Sequence, residues 1–234
     1  MMLSIVCLLS IFSVSLQLIF HGPNIPQEEY GYNPIPTAIP PSSGSILCNC
    51  GIAQKSGNGN RIIGGNDAER NEYPWQVGLK LKPSRGMKAA FCGGSLISSQ
   101  HILTAAHCTE RRSASSIIAF LGEHDNPTDL ISHGVSISKV MTHPDYVNTK
   151  YKVDNDFSIL TLSTPIELRN SPAISPICLP ENTQRSYQGE VATVTGWGAV
   201  DKQKRKFAAV LQEVNITVIT NNECNEKHHG HIKK

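Results

Sequence analysis

What the 234-residue chain has little of narrows its class. After the first twenty residues no stretch is long and apolar enough to span a bilayer. Aromatic side chains make up 6% of the sequence, charged ones 17%, and the formal net charge is only +2. Such a charge gives no basis for a nucleic-acid or anionic-membrane partner, which needs a concentrated basic surface. The longest basic run, Lys202 to Lys206, has no interleaved aromatics and reads as a solvated loop. Long helical periodicity is absent. No six-cysteine module precedes residue 61, so no folded regulatory domain is expected there.

The first twenty residues carry no charged side chain. An apolar N-terminal run of this kind reads as a signal peptide over residues 1–20, with Ser13-Val14-Ser15 offering small residues at cleavage offsets. A retained signal anchor is the alternative. The mature chain is then expected to be secreted and extracellular, with no membrane attachment after signal cleavage. In that compartment disulfides persist. Cys7 belongs to the leader, which leaves Cys48, Cys50, Cys92, Cys108, Cys178 and Cys224. Sequence alone does not fix their pairing. Cys48 and Cys50 stand too close to bridge each other easily, and they lack the spacing and second pair of a zinc site. Residues 21–61 are rich in Pro, Gly, Ser and Asn, so they cannot offset their ordering entropy and read as a propeptide or linker.

From Arg61 the texture changes. Short runs rich in Val, Ile and Thr alternate with turn residues: WQVGLKL, GSLISSQHILTAA, SIIAFLGE, GVSISKVM, FSILTLSTPI, EVATVTGWG and LQEVNITVI. This is strand chemistry, and many short strands between Gly, Pro, Asn and Asp turns predict an all-β barrel or sandwich. One short helix is expected within Ile219 to His229, capped by Thr220, Asn221 or Asn222. Asn215-Ile216-Thr217 is a glycosylation sequon, which makes Asn215 a candidate acceptor. His228, His229 and His231 read as an exposed polar tail rather than a zinc site.

His107 follows Ala105-Ala106, so it is expected in a small-residue, buried neighbourhood. Asp156 precedes the apolar run FSIL, and a carboxylate at the start of a buried strand needs a partner. A histidine is the chemically obvious one. A carboxylate fixes the tautomer of an imidazole and stabilises its charged form, which makes the ring a general base near neutral pH.

Six motifs in order carry a resemblance: Arg61-Ile62-Ile63-Gly64-Gly65 followed by Glu72-Tyr73-Pro74-Trp75-Gln76-Val77; Phe91-Cys92-Gly93-Gly94-Ser95-Leu96-Ile97; Leu103-Thr104-Ala105-Ala106-His107-Cys108; Asp154-Asn155-Asp156-Phe157-Ser158-Ile159-Leu160; Pro176-Ile177-Cys178-Leu179-Pro180; and Val194-Thr195-Gly196-Trp197-Gly198. With these the chain resembles the chymotrypsin-type (S1), trypsin-like serine endopeptidases. The resemblance implies a double six-stranded β-barrel over residues 62–234, the N-terminal barrel complete and the C-terminal one incomplete. It implies His107 as general base and Asp156 as the aspartate that orients it. It pairs Cys92 with Cys108, and Cys178 with Cys50 or Cys48, which would tether the propeptide. It places a disulfide partner for Cys224 further downstream. Cleavage after Arg61 would free the amine of Ile62, so an upstream protease cutting after Arg is an implied partner, beside protein or peptide substrates and protein inhibitors. No cofactor is implied. Glu123, in Gly122-Glu123-His124-Asp125, matches the first ligand of a calcium loop, but of the later ligand positions only Asp129 is acidic and Ser132 stands where a second glutamate is expected, so no metal is assigned.

The family's GDSGGP nucleophile motif is absent, and no serine follows Ser186. Ser95, in CGGSL, belongs to an internal strand in the family and not to a nucleophile elbow. The expectation is therefore a secreted protease zymogen truncated before its catalytic serine. The alternatives are a non-catalytic homologue that binds or regulates partners, and an inactive fragment.

Overall fold

The computed structural model describes residues 50–54, 65–82, 90–126, 134–149, 152–169, 171–181, 185–201 and 206–227, with the backbone of Leu18–Phe20. In chain order the elements are β1 (Leu18–Phe20), β2 (Asn66–Asp67), β3 (Gln76–Leu81), β4 (Ala90–Leu96), β5 (His101–Thr104), the one-turn helix α1 (Ala106–Thr109), β6 (Ile117–Leu121), β7 (Val135–Thr142), β8 (Val147–Thr149), β9 (Lys152–Asp154), β10 (Ser158–Leu162), β11 (Val191–Gly196), β12 (Ala199–Asp201), β13 (Lys206–Phe207), β14 (Gln212–Thr217) and α2 (Asn221–Lys227). Each of the seven apolar runs read from the sequence contributes a strand.

Six strands close into a barrel in the order β10-β5-β4-β3-β6-β7, with β10 pairing β7 to complete the ring. Alternation sets what fills it. Ser158, Leu160 and Leu162 of β10 point inward, as do Ile102 and Thr104 of β5. Trp75, Val77, Leu79, Leu96, Ile102, Ile117, Ala119, Leu160 and Leu162 are fully buried in one core. Burying a side chain of Val or Leu size contributes about 1.5–3 kcal/mol. Closure also needs glycine at two close approaches. A Cβ at Gly94 would stand 2.6 Å from Ile102 Cγ2, and one at Gly134 would overlap Ile118 Cγ2. Glycine at those places lets β5 lie against β4 and the start of β7 lie against β6.

The second sheet runs β1-β11-β14-β2 and does not close among the described residues. Its outer strand β1 falls in the segment expected to be the signal peptide, and its backbone pairs antiparallel with β11, Leu18 opposite Val194 and Phe20 opposite Ala192. Polar contacts dock this sheet on the barrel. Thr195 Oγ1 donates to Gln76 Oε1 at 2.7 Å, and the Tyr73 hydroxyl bonds the Glu213 carboxylate. Trp197 Nε1 and the Leu211 amide both donate to the His124 carbonyl, at 3.0 and 2.8 Å. The seam is buried at Glu72, Tyr73, Gln76 and Thr195. There burial raises the Tyr73 pKa above the ordinary phenol value, and the Glu213 carboxylate raises it further.

The C-terminal helix α2 carries its expected cap. Glu223 N–H donates to Thr220 Oγ1 at 3.1 Å, while Thr220 N–H donates to Glu223 Oε2 at 2.8 Å, a reciprocal box that satisfies two donors at the helix start. Two disulfides join described residues: Cys92–Cys108, and Cys50–Cys178, so the resemblance's choice between Cys48 and Cys50 falls on Cys50. Cys224 is buried and disulfide-bonded, with its partner outside the described residues. Among the described residues no helix is long and apolar enough to cross a membrane.

Candidate active site

His107 sits in α1, directly after β5. One turn of helix has no stability of its own, so its surroundings hold it. The Cys92–Cys108 disulfide ties α1 to β4, with Cα atoms 6.1 Å apart. Thr104 Oγ1 donates to the Gly93 carbonyl at 2.7 Å and fixes the end of β5 on the same strand. Asp156 arrives from the opposite direction, just before β10. Asn155 adopts a left-handed backbone with φ 52°, and asparagine tolerates this better than most residues. Its Nδ2 donates to the Asp145 carbonyl at 2.9 Å. This turn brings Asp156 under α1.

The two side chains meet. Asp156 Oδ2 lies 2.7 Å from His107 Nδ1, and Oδ1 accepts the His107 backbone N–H at 2.8 Å. The Ala106 backbone N–H also bonds this carboxylate. The aspartate side chain is 3% exposed and the imidazole 28%. A ring nitrogen facing a carboxylate must carry a proton, so the neutral ring keeps its lone pair on Nε2. Burial alone would raise the Asp156 pKa, but the hydrogen bonds from the His107 ring and backbone outweigh it and hold the carboxyl below its ordinary value. The aspartate is thus ionised at neutral pH and positioned to stabilise a charged imidazole.

Tyr146, at the entry to β8, borders this pair. Its hydroxyl donates to Glu110 Oε2 at 3.3 Å, and Asn148 Nδ2 donates to the same oxygen at 2.8 Å. Burial, then the negative charges of Asp156 and Glu110, push the Tyr146 phenol up to about 12. Nε2 of His107 lies 3.5 Å from Cys108 Sγ. Donor atoms of Cys92, His107 and Cys108 come within 4.8 Å of one another, but both sulfurs are spent in the disulfide and offer no thiolate to a metal.

The other expected residues are scattered. Asn215 is exposed on β14, where its Oδ1 accepts the Thr193 hydroxyl at 2.8 Å. Glu123 is half-buried just past β6, while Asp129 and Ser132 lie outside the described residues. So do Arg61, Ile62, Cys48, Lys202 to Arg205, His228, His229 and His231. Ser95 is a β4 residue facing Leu103 across the ladder, as expected of an internal strand. The sequence reading did not single out Glu110, Tyr146, or the buried hydroxyls of Thr109 and Ser158. Only Ser158 had a signal. In FSILTL it shares a face with Leu160 and Leu162, and a polar group on a buried face needs a partner.

A closed six-stranded barrel beside a docked partial sheet, with a histidine on a single helical turn facing a buried aspartate, has the architecture of the chymotrypsin-like proteases. The trypsin family model matches residues 62–234, and the chain belongs to the trypsin family. It is similar to the serine protease filzig of Drosophila melanogaster, 36% identical over 191 residues, covering 79% of this chain and 11% of that protein. It is also similar to a venom serine protease of Polistes dominula, 35% identical over 190 residues, covering 78% of this chain and 63% of the relative. Phenoloxidase-activating factor 3 of Holotrichia diomphalia is 36% identical over 167 residues, covering 63% and 47%. The chain thus spans between 11% and 63% of the length of these relatives.

Proposed function

We propose that this chain supplies the general-base half of a trypsin-like serine endopeptidase, secreted as a zymogen. The observation that carries the reading is the doubly bonded Asp156 carboxylate, which takes both the ring N–H and the backbone N–H of His107. In this reading His107 Nε2 accepts the proton of a serine hydroxyl as it attacks a peptide carbonyl, then returns it to the leaving amine. Asp156 holds the tautomer and stabilises the imidazolium between the two transfers. The serine, the oxyanion donors and the specificity pocket must come from outside the described residues. No serine follows Ser186 in the 234 residues, so the reaction needs a hydroxyl that these residues do not supply at the family's position.

Residues 1–20 act as the signal peptide, whose removal takes β1 with it and leaves one edge of β11 to be paired otherwise, 21–61 as the propeptide and 62–234 as the peptidase segment. Cleavage after Arg61 by a protease of basic preference frees Ile62. The Cys50–Cys178 disulfide then keeps the propeptide attached. Protein substrates and protein inhibitors are the partners, and Asn215 is the glycan acceptor.

The test compares the protein purified from its native secretion with recombinant wild-type, His107→Ala and Asp156→Asn forms of that same secreted length, each cleaved after Arg61, on a fluorogenic peptide panel. The native protein is expected to hydrolyse peptides, and either substitution to reduce the rate by about 10⁴-fold, the size of effect known for the orienting aspartate of the triad. Peptidase activity surviving in His107→Ala sinks the reading. The 234-residue chain alone is expected to resist labelling by a serine-directed phosphonate; specific labelling would place a nucleophile among these residues.

A further inference from the structure

Buried hydroxyls stand next to the His107–Asp156 pair without a role in its chemistry. Thr109 ends α1, two residues after His107, and is buried. Ser158 opens β10, two residues after Asp156, and is fully buried. Their hydroxyl oxygens lie 2.9 Å apart, and Ser158 donates onward to Thr142 Oγ1 of β7 at 3.1 Å. Thr109 Oγ1 also lies within donating distance of the Ala106 carbonyl, at 3.1 Å, an oxygen whose second lone pair takes the Glu110 N–H at 2.9 Å. Whichever hydroxyl donates between Thr109 and Ser158, the contacts link α1 to β10 and β10 to β7 through hydroxyl groups.

The consequence is geometric. The segment 107–109 touches the segment 156–158 twice, at His107–Asp156 on the half-exposed side and at Thr109–Ser158 on the buried side. A helix of one turn has no stability of its own. The disulfide ties α1 to β4 and Asp156 binds both the ring and the backbone of His107; the Thr109–Ser158 contact adds a tie at the far end of the turn, to the strand that follows Asp156 and through it to β7. Catalysis by a general base depends on holding the ring within a narrow range of positions.

We propose that Thr109 and Ser158 are positioning residues that fix the angle at which His107 meets Asp156. This deepens the reading of His107 as general base and rests on it. If the hydroxyls merely satisfied each other's burial, removing both would leave the imidazole–carboxylate bond unchanged.

The test uses the full chain and proton NMR of the imidazole Nδ1–H, assigned as the low-field signal that Asp156→Asn abolishes. In the double variant Thr109→Val with Ser158→Ala, the signal is expected to move upfield. Its exchange with solvent should become about fivefold faster, the equivalent of roughly one neutral hydrogen bond. The hydroxyl-keeping changes Thr109→Ser and Ser158→Thr should retain the original signal. An unchanged signal in the double variant overturns the proposal. Should the double variant not fold, Thr109→Val against Thr109→Ser decides, because equal effects of the two also overturn it. A wild-type chain with no low-field signal sensitive to Asp156→Asn overturns both this proposal and the general-base reading. A signal that is present but indifferent to Thr109 and Ser158 overturns this proposal alone.

Discussion

The barrel and the sheet beside it are made of similar short strands rich in Val, Ile and Thr, yet they end differently. In the barrel every strand has two neighbours, because β10 pairs with both β5 and β7. In the second sheet β2 pairs only over Gln212 and Glu213, and the other flank of β11 is covered by three residues from far upstream. Burial differs in kind. The barrel core holds the large apolar side chains Trp75, Leu79 and Leu160 at zero exposure, whereas β11 buries the small or polar Ala192, Thr193 and Thr195 and leaves Val191 at its start 51% exposed. Both residues of the candidate pair belong to the barrel side, His107 between β5 and β6 and Asp156 immediately before β10. The His107–Asp156 pair is therefore assembled on the closed half of the molecule.

Substitutions can break this contrast, and the largest effect belongs to the barrel core. Trp75→Ala is expected to cost about 3–5 kcal/mol, read as a fall in the urea midpoint, because a fully buried indole leaves a cavity that the ring of strands cannot collapse into. Removing the tie between α1 and β4 comes next. Cys92→Ala with Cys108→Ala releases a loop spanning a sequence separation of 16, at a cost of about 3 kcal/mol in chain-entropy terms. Thermal unfolding of wild type and the double variant, both without reductant, checks it, and no difference would mean that α1 is held without the disulfide.

Asp156→Asn probes the site itself, with an effect of about 2 kcal/mol, typical of hydrogen bonds to a charged group. The folded carboxyl titrates below the unfolded value near 4. Its contribution is therefore fully present above the unfolded value and is lost as pH falls through the lower folded one. Once pH falls below about 4, the stability gap between wild type and Asp156→Asn should shrink. A gap that goes on widening in that acid range contradicts the lowered pKa. The smallest effect is expected on the second sheet. Val191→Thr, half-exposed at a strand start, should stay within about 0.5 kcal/mol. A loss comparable to Trp75→Ala would erase the contrast between the two halves.

Much of this arrangement was legible in the sequence, for identifiable reasons. Short runs rich in Val, Ile and Thr mark β5 and β10, and a capping residue among Thr220, Asn221 and Asn222 announces α2, because both signals are local in sequence. His107 and Asp156 stand inside specific motifs, so their meeting was expected. Other features depend on long-range geometry that spacing does not encode. Cys48 and Cys50 differ only in which one the chain path brings to Cys178. Nothing in the sequence around Cys224 says which cysteine it bonds. Glu110 and Tyr146 are 36 positions apart, and nothing in either neighbourhood signals that they share a hydrogen bond.

The claim that the base half of the site is complete in this chain is most exposed to a carbon-13 titration of the Asp156 carboxyl in the full protein. The midpoint should fall below the ordinary carboxylate value near 4 and move upward in His107→Ala, where burial is left with fewer opposing hydrogen bonds. A midpoint at or above the ordinary value, unchanged by His107→Ala, would show that the histidine and aspartate are neighbours without being partners.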